Sequence, residues 1–351
     1  MTGQSKRVSY SRRQVLGAVG TTGAFGLAGC AAVTGGTNDA DPIRLAYMPI
    51  YPDMQYFVMD QEGYLDELDA PVEAEQFPDG PSIVQALAGG GFDVALFGMV
   101  PSMVAIDKGL PYRVTAANIV DAMSVMTTDA FAELWADHGA AAFAQFEADR
   151  GRKFRFGTFP PGSVPDIVLR YWLREELGLV VEDAVDVVPM GAGKVRQAML
   201  AGEIDGTSIM EPIQTLAIEK DTGHDRLVNA ADFFPGGQPA AVVLMNDRLR
   251  TENSDLGRAF LERHVRATEF ANENPDQAAA HATTVVGEEV LPLPIAKKAM
   301  RSPTANFISD PHEIEGGTEI FASFASDLGK TDRTLALEEV FDVSLFEAVE
   351  G

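Results

Sequence analysis

The chain is predicted to be an α/β protein built as two doubly wound lobes around one cleft. Three observations predict it. Short apolar runs alternate with helical patterns through much of the sequence, as in strands joined by crossover helices. The run "IRLAYMPIYPDMQYF" from Ile43 is echoed 111 positions later by "FRFGTFPPGSVPDIV" from Phe154. "VQALAGGGFDVALFGMVP" from Val84 and "RQAMLAGEIDGTSIMEP" from Arg196 match at an offset of 112. Two echoes at nearly one spacing describe a single lobe plan used twice.

The elements follow in order. Strands are expected at 43–48, 72–77, 93–97 and 113–117 in lobe I, and at 154–159, 185–189 and 206–209 in lobe II. The runs at 124–128 and 240–246 are expected as strands where the chain crosses between lobes. Lobe I is thus expected to hold 43–122 and 247–351, and lobe II 123–246. Residues 131–150 form an amphipathic pattern interrupted near Gly139, and 255–351 are mainly helical by pattern. The sheets are expected to be mostly parallel.

The first 42 residues differ in kind. "KRVSYSRR" at 6–13 is basic, and "QVLGAVGTTGAFGLAG" at 14–29 carries no charge. A basic start, an apolar stretch and small residues at the end is the layout of a secretory signal. Sixteen residues with five Gly and two Thr are too short and too weakly apolar to span a membrane. Arg12 and Arg13 resemble a twin-arginine export signal, and Leu27-Ala28-Gly29-Cys30 resembles a lipobox. Residues 1–29 are therefore expected to be a lipoprotein signal, with Cys30 lipidated and 30–42 a flexible tether. Cys30 is the only cysteine, so no intrachain disulfide forms and the folded body relies on packing.

Charge narrows the partners. The chain carries 52 acidic against 27 basic residues, a formal net charge of −25. Phosphate backbones would be repelled, so a nucleic-acid partner is not expected. The acid is spread along the chain rather than gathered in a tail. Spread acid with only 8 Lys points to a high-salt habitat, where screening removes the self-repulsion.

Ligands of open α/β sheets bind beyond the carboxyl ends of the strands. That places the loops Pro49–Gln55, Pro78–Ser82, Gly98–Pro101, Pro160–Pro165 and Ile209–Pro212 around the cleft. The candidate ligand-binding residues are Tyr51, Gln55, Asp79, Gly98, Met99, Gly162, Ser163, Val164 and Glu211. Phe77, Phe97 and Phe159 are read as core, whereas Tyr51 and Met99 lie in expected loops. Ser163-x-x-Asp166 is a capping-box pattern with Asp in the Glu position, so Ser163 has two roles open, helix cap or ligand donor. Pro165 removes one amide donor there, and Asp166 adds a negative charge. Glu211 has hinge and ligand roles open. Arg44 and Arg155 sit near strand starts, away from the cleft end, and the cleft loops hold no other Lys or Arg. A neutral or partly cationic organic solute with an apolar part is expected over a small oxyanion.

Catalytic and metal chemistry is poorly represented. There is no G-x-S-x-G elbow, and "GAGKVR" at 191–196 lacks the earlier Gly and the Ser or Thr of a phosphate loop. The five His are scattered, with no H-E-x-x-H, so neither a zinc site nor a cofactor is expected.

The lipobox, the repeated plan, "VQALAGGGFDVALFGMVPSMVAIDKGLP", "FPPGSVPDIVLRYWLREELGL" and "MEP" resemble the solute-binding lipoproteins of ABC importers, nitrate, sulfonate and taurine type. That group also includes binders of thiamine and riboflavin precursors. The resemblance covers residues 42–250 well and the last quarter loosely. It implies a type II periplasmic-binding-protein fold and a receptor, not an enzyme, that hands a small solute to a permease and an ATPase. It implies a monomer at the outer face of the cytoplasmic membrane, held by the lipid on Cys30. It also implies that the loops at Gly98 and at Gly162-Ser163, with Glu211, line the cleft. The alternative is an enzyme on the same fold, similar to thiamine-pyrimidine synthases. Those use clustered Cys and His, which this chain lacks.

Overall fold

A computed structural model describes residues 41–350, so the signal, Cys30 and nearly all of the tether lie outside the described residues. Its strands are β1 (Ile43–Tyr47), β2 (Val72–Gln76), β3 (Val94–Gly98), β4 (Tyr112–Val120), β5 (Ser124–Thr128), β6 (Phe154–Thr158), β7 (Val185–Pro189), β8 (Gly206–Ile209), β9 (His224–Asn229), β10 (Pro239–Asn246) and β11 (Asn306–Phe307). They form two sheets, ordered β11-β4-β10-β3-β1-β2 and β7-β6-β8-β5-β9.

The internal echo is structural. β1 pairs in parallel with β2 and β3, and β6 pairs in parallel with β7 and β8. Beyond each trio lies an antiparallel strand, β10 against β3 and β5 against β8. The sheets are therefore mixed rather than mostly parallel. The reason is topological: β5 and β10 are each reached by chain coming from the other sheet, without a local crossover helix, so each enters in the reverse direction. β9 and β11 were not anticipated. Their sequences, "HDRLVN" and "NF", are polar or too short to show a strand period.

The expected surface helix is two, Asp129–His138 and Ala142–Arg150, broken at Gly139 with φ +54°. Phe131, Phe143 and Phe146 bury one side of this pair against Phe154, Phe156 and Trp172. Helices of the C-terminal third pack on the six-stranded sheet, and Ser254–Glu273 buries Phe260, Leu261 and His264. No helix among the described residues is long and apolar enough to cross a membrane.

Two segments carry the chain between the sheets, Asp121–Met123 and Ala230–Gln238. They are tied to each other. The Asp121 amide donates to the Gln238 carbonyl at 2.9 Å, and the Gln238 amide donates to Asp121 Oδ1 at 2.7 Å. Gln238 is fully buried, and its Oε1 accepts from the Met123 amide at 3.3 Å.

Candidate functional site

A narrow cleft lies between the two sheets. Its walls come from strand ends: Met48 and Ile50 after β1, Phe159 after β6, Met210 after β8, and Ala240 and Ala241 in β10. Met123 comes from the first crossing segment. Met48, Met123, Met210 and Phe159 make the lining soft and apolar, and the methionines can repack around an irregular guest. Ser163 is the one polar side chain among the lining residues, and no Lys, Arg, Asp or Glu lines the cleft.

Three helices begin at this cleft: Gly80–Ala88, Met99–Asp107 and Val164–Tyr171. A helix start offers unpaired amides and a partial positive charge. Each of these three has a proline in its first turn, Pro81, Pro101 or Pro165, and each proline deletes a donor. The remaining donors are partly spent. Asp79 caps the first helix, accepting from the Ser82 amide at 2.8 Å and its hydroxyl at 2.7 Å. At the third, the Gly162 amide donates to Asp166 Oδ2 at 2.9 Å and the Ser163 amide to the Pro160 carbonyl at 3.0 Å. The Asp166 amide reaches Ser163 Oγ at 3.4 Å. Only the Val164 amide is left in that turn. Asp166 does not charge the cleft either. It is buried, and Arg170 Nε holds its Oδ1 at 3.0 Å.

Of the expected residues, Gly98, Ser163 and Val164 line the cleft. Gly98 is closely packed there: a Cβ at that position would lie 3.0 Å from Val164 Cγ2 and 3.3 Å from Pro101 Cδ. The two halves of the molecule thus touch at van der Waals contact across the cleft.

The other expected residues lie behind the wall. Tyr51 is fully buried and donates its hydroxyl to the Ala296 carbonyl at 2.8 Å. Gln55 Nε2 donates to the Asn118 carbonyl at 2.7 Å and to Thr268 Oγ1 at 3.2 Å. Met99 opens its helix facing the core and is fully buried. Asp79 and Gly162 serve helix starts beside the cleft, as described. Phe159, read as core from its position at a strand end, is buried in the core and also lines the cleft. Met48, Met123 and Met210 were missed, because buried methionines in strand ends look like ordinary core in a sequence.

Glu211 is outside the cleft lining and joins a polar network at the first crossing. It is buried, and Arg226 Nη2 donates to its Oε1 at 2.6 Å. The Thr215 amide and hydroxyl donate to the two carboxylate oxygens at 3.1 and 2.9 Å. Arg226, on β9, also donates to Ser302 Oγ at 3.1 Å and to Gln214 Oε1 at 2.8 Å. Thr304 donates to the same Gln214 oxygen at 3.0 Å, and Gln214 Nε2 donates to the Ala122 carbonyl at 3.2 Å. The five-stranded half, the C-terminal segment at Ser302–Thr304 and the first crossing therefore meet in one polar network.

A second buried polar group underlies the cleft floor. Asp53 Oδ2 accepts from the Met48 amide at 2.8 Å, and burial pushes its pKa well above the usual carboxyl value. Asn118 bridges the Pro52 carbonyl and His264 Nε2, at 3.1 and 3.0 Å. Burial holds the His264 pKa down at about 3. Burial disfavours the charged form of both Asp53 and His264. Among the described residues no group of His, Cys, Asp and Glu is placed to hold a metal ion.

The model of the NMT1-like family matches residues 36–286. The nitrate import ATP-binding protein NrtC of Synechococcus elongatus is 23% identical over 238 residues, covering 66% of this chain. The chain spans about a third of that relative, 35% of its length. Three solved structures share the fold. The ligand-binding component of an ABC-type import system from Staphylococcus aureus, with zinc bound, has a TM-score of 0.70 at 17% identity, covering 88% of this chain and 99% of that one. The nitrate-binding protein NrtA from Synechocystis has a TM-score of 0.71 at 13% identity, covering 89% and 88%. The aliphatic sulphonate-binding protein SsuA from Escherichia coli has a TM-score of 0.67 at 16% identity, covering 87% and 92%.

Proposed function

The chain belongs to the NMT1-like family, and from that membership and its cleft we propose that it is the extracytoplasmic solute-binding component of an ABC importer. It binds a solute between its lobes and delivers it to a permease powered by an ATPase. Binding energy shifts an open–closed equilibrium toward the closed form. The fold shared with the ligand-binding component of an ABC-type import system and with periplasmic sulphonate- and nitrate-binding proteins supports this reading.

The observation that carries the substrate class is the cleft lining. It is apolar, has Ser163 as its one polar side chain, and meets three helix starts each depleted of a donor by proline. A desolvated oxyanion needs cations or several N–H donors. A neutral or partly cationic organic solute with an apolar or aromatic part fits this wall better than nitrate, bicarbonate or a sulfonate does. The enzyme alternative has no nominated catalyst around the cleft. Calorimetric titration, with mass-spectrometric recovery of the solute, tests the receptor reading. One equivalent of unchanged solute is expected, and steady product formation would overturn it.

The anchor is part of the proposal. Cys30 carries the lipid, the signal before it uses the twin-arginine route, and the acidic body works in high salt. The Cys30→Ser chain is expected to leave the membrane fraction or remain uncleaved. A mature Cys30→Ser protein still in the membrane fraction would contradict the anchor.

A further inference from the structure

A second pocket lies away from the cleft, between the helices Ala192–Ala201 and Ile213–Glu219 and the loop that precedes the helix Leu293–Ala299. Met199, Leu216 and Ile213 form its apolar floor. Three large hydrophobic side chains stand out as exposed among the described residues, and two of them, Leu200 and Val290, are on its rim. Exposed apolar surface that gathers around one concavity marks a binding place rather than scatter.

The charge around it is inverted relative to the molecule. The chain holds nearly two acidic residues per basic one, yet this pocket is lined by Arg196 and Lys220 against Glu289 alone. Arg196 and Lys220 are in no ion pair or side-chain hydrogen bond among the described residues, whereas most other arginines here are paired with carboxylates.

We infer that this pocket is a second ligand site, for an amphipathic monoanion. Its apolar body lies on Met199, Ile213 and Leu216 under Leu200 and Val290. Its acidic head is held by Arg196 and Lys220. The site does not depend on what the cleft binds. It joins two helices of the five-stranded half to a loop of the C-terminal part, so its occupant touches both.

Methyl NMR of methionine-labelled protein separates the two sites. Met199 reports the second pocket, and Met48, Met123 and Met210 report the cleft. Dodecanoate is the probe, kept below its micelle concentration, with dodecyltrimethylammonium as the cation of equal length. Dodecanoate is expected to shift Met199 saturably and leave the cleft methionines in place, and the cation is expected to do neither. Arg196→Glu with Lys220→Glu, both at the rim, is expected to weaken dodecanoate at least about tenfold and to admit the cation. Three results would each overturn the inference. They are no saturable movement of Met199, movement of the cleft methionines alone, and equal binding of both amphiphiles.

Discussion

The two sides of the junction between the lobes are built from opposite materials. On the cleft side Gly98 faces Val164 among Met48, Phe159 and Met210, and no lining side chain hydrogen-bonds across the gap. On the polar side Arg226, Glu211, Gln214, Ser302 and Thr304 are joined by hydrogen bonds that link the five-stranded half to the C-terminal part. An apolar seam can part and refill with a solute at the cost of apolar contact alone. The polar side cannot part without breaking the Arg226–Ser302 and Thr304–Gln214 hydrogen bonds that join the five-stranded half to the C-terminal part. On the proposed open–closed motion, the cleft side is expected to open and the polar side to stay as the pivot.

The same substitution on the two sides exposes the difference. A Cβ at Gly317 would lie 1.8 Å from the Gly237 carbonyl oxygen and 2.7 Å from Pro239 Cδ, all beside the second crossing. Backbone there cannot yield, so Gly317→Ala is expected to lose more than about 3 kcal/mol in denaturant unfolding. Gly98→Ala meets only the Val164 methyl at 3.0 Å and Pro101, which can give by a few tenths of an ångström. It is expected to cost less than about 1 kcal/mol while weakening solute binding. Equal losses at the two sites would erase the contrast.

Arg226→Ala comes next in size. It leaves Glu211 buried with only Thr215 as partner, and a loss of about 3 kcal/mol is expected. This is the low end of the range because Arg226 is 20% exposed. Adding Glu211→Gln should recover part of the loss, since the amide oxygen can still accept from Thr215. No recovery would mean that the charge itself is not what the arginine answers.

His264 gives a smaller, pH-dependent effect. Its folded pKa of about 3 lies below the unfolded value near 6.5, so the unfolded chain binds a proton that the native state refuses. The stability it contributes is present above about pH 6.5 and is lost as pH falls toward 3, by at most about 1.4 kcal/mol per pH unit. Asp53 acts in the opposite sense, because its raised pKa favours the native state as pH falls. Unfolding at pH 7 and pH 5 should show a shallower pH slope for His264→Gln than for the unchanged chain. An unchanged slope would place the linkage elsewhere.

Much of this fold was legible because its signals are local and repeated. The echoes at Ile43 and Phe154 fall on β1 and β6, which hold the same place in their sheets. The Gly139 break and the strand-end loops were readable for the same reason. Strand direction was not, since β5 and β10 owe their sense to where the chain arrives from. The cleft was half legible. Gly98, Ser163 and Val164 follow from their positions at strand ends. Tyr51 and Met99 occupy equivalent positions, but a 3-10 turn and a helix start rotate them into the core. The proline in all three helix starts was visible in the sequence. Its meaning needed the three starts to be seen converging on one space.

The central claim is that an apolar, donor-poor cleft takes an organic solute without a full negative charge. Thermal-shift screening of the purified chain in high salt, over heterocycles and amines against nitrate, bicarbonate and simple alkanesulfonates, tests it most directly. The claim predicts a concentration-dependent rise in Tm with a member of the first set, lost in Gly98→Ala. Strong stabilisation by nitrate, bicarbonate or an alkanesulfonate, with none from heterocycles or amines, would contradict it.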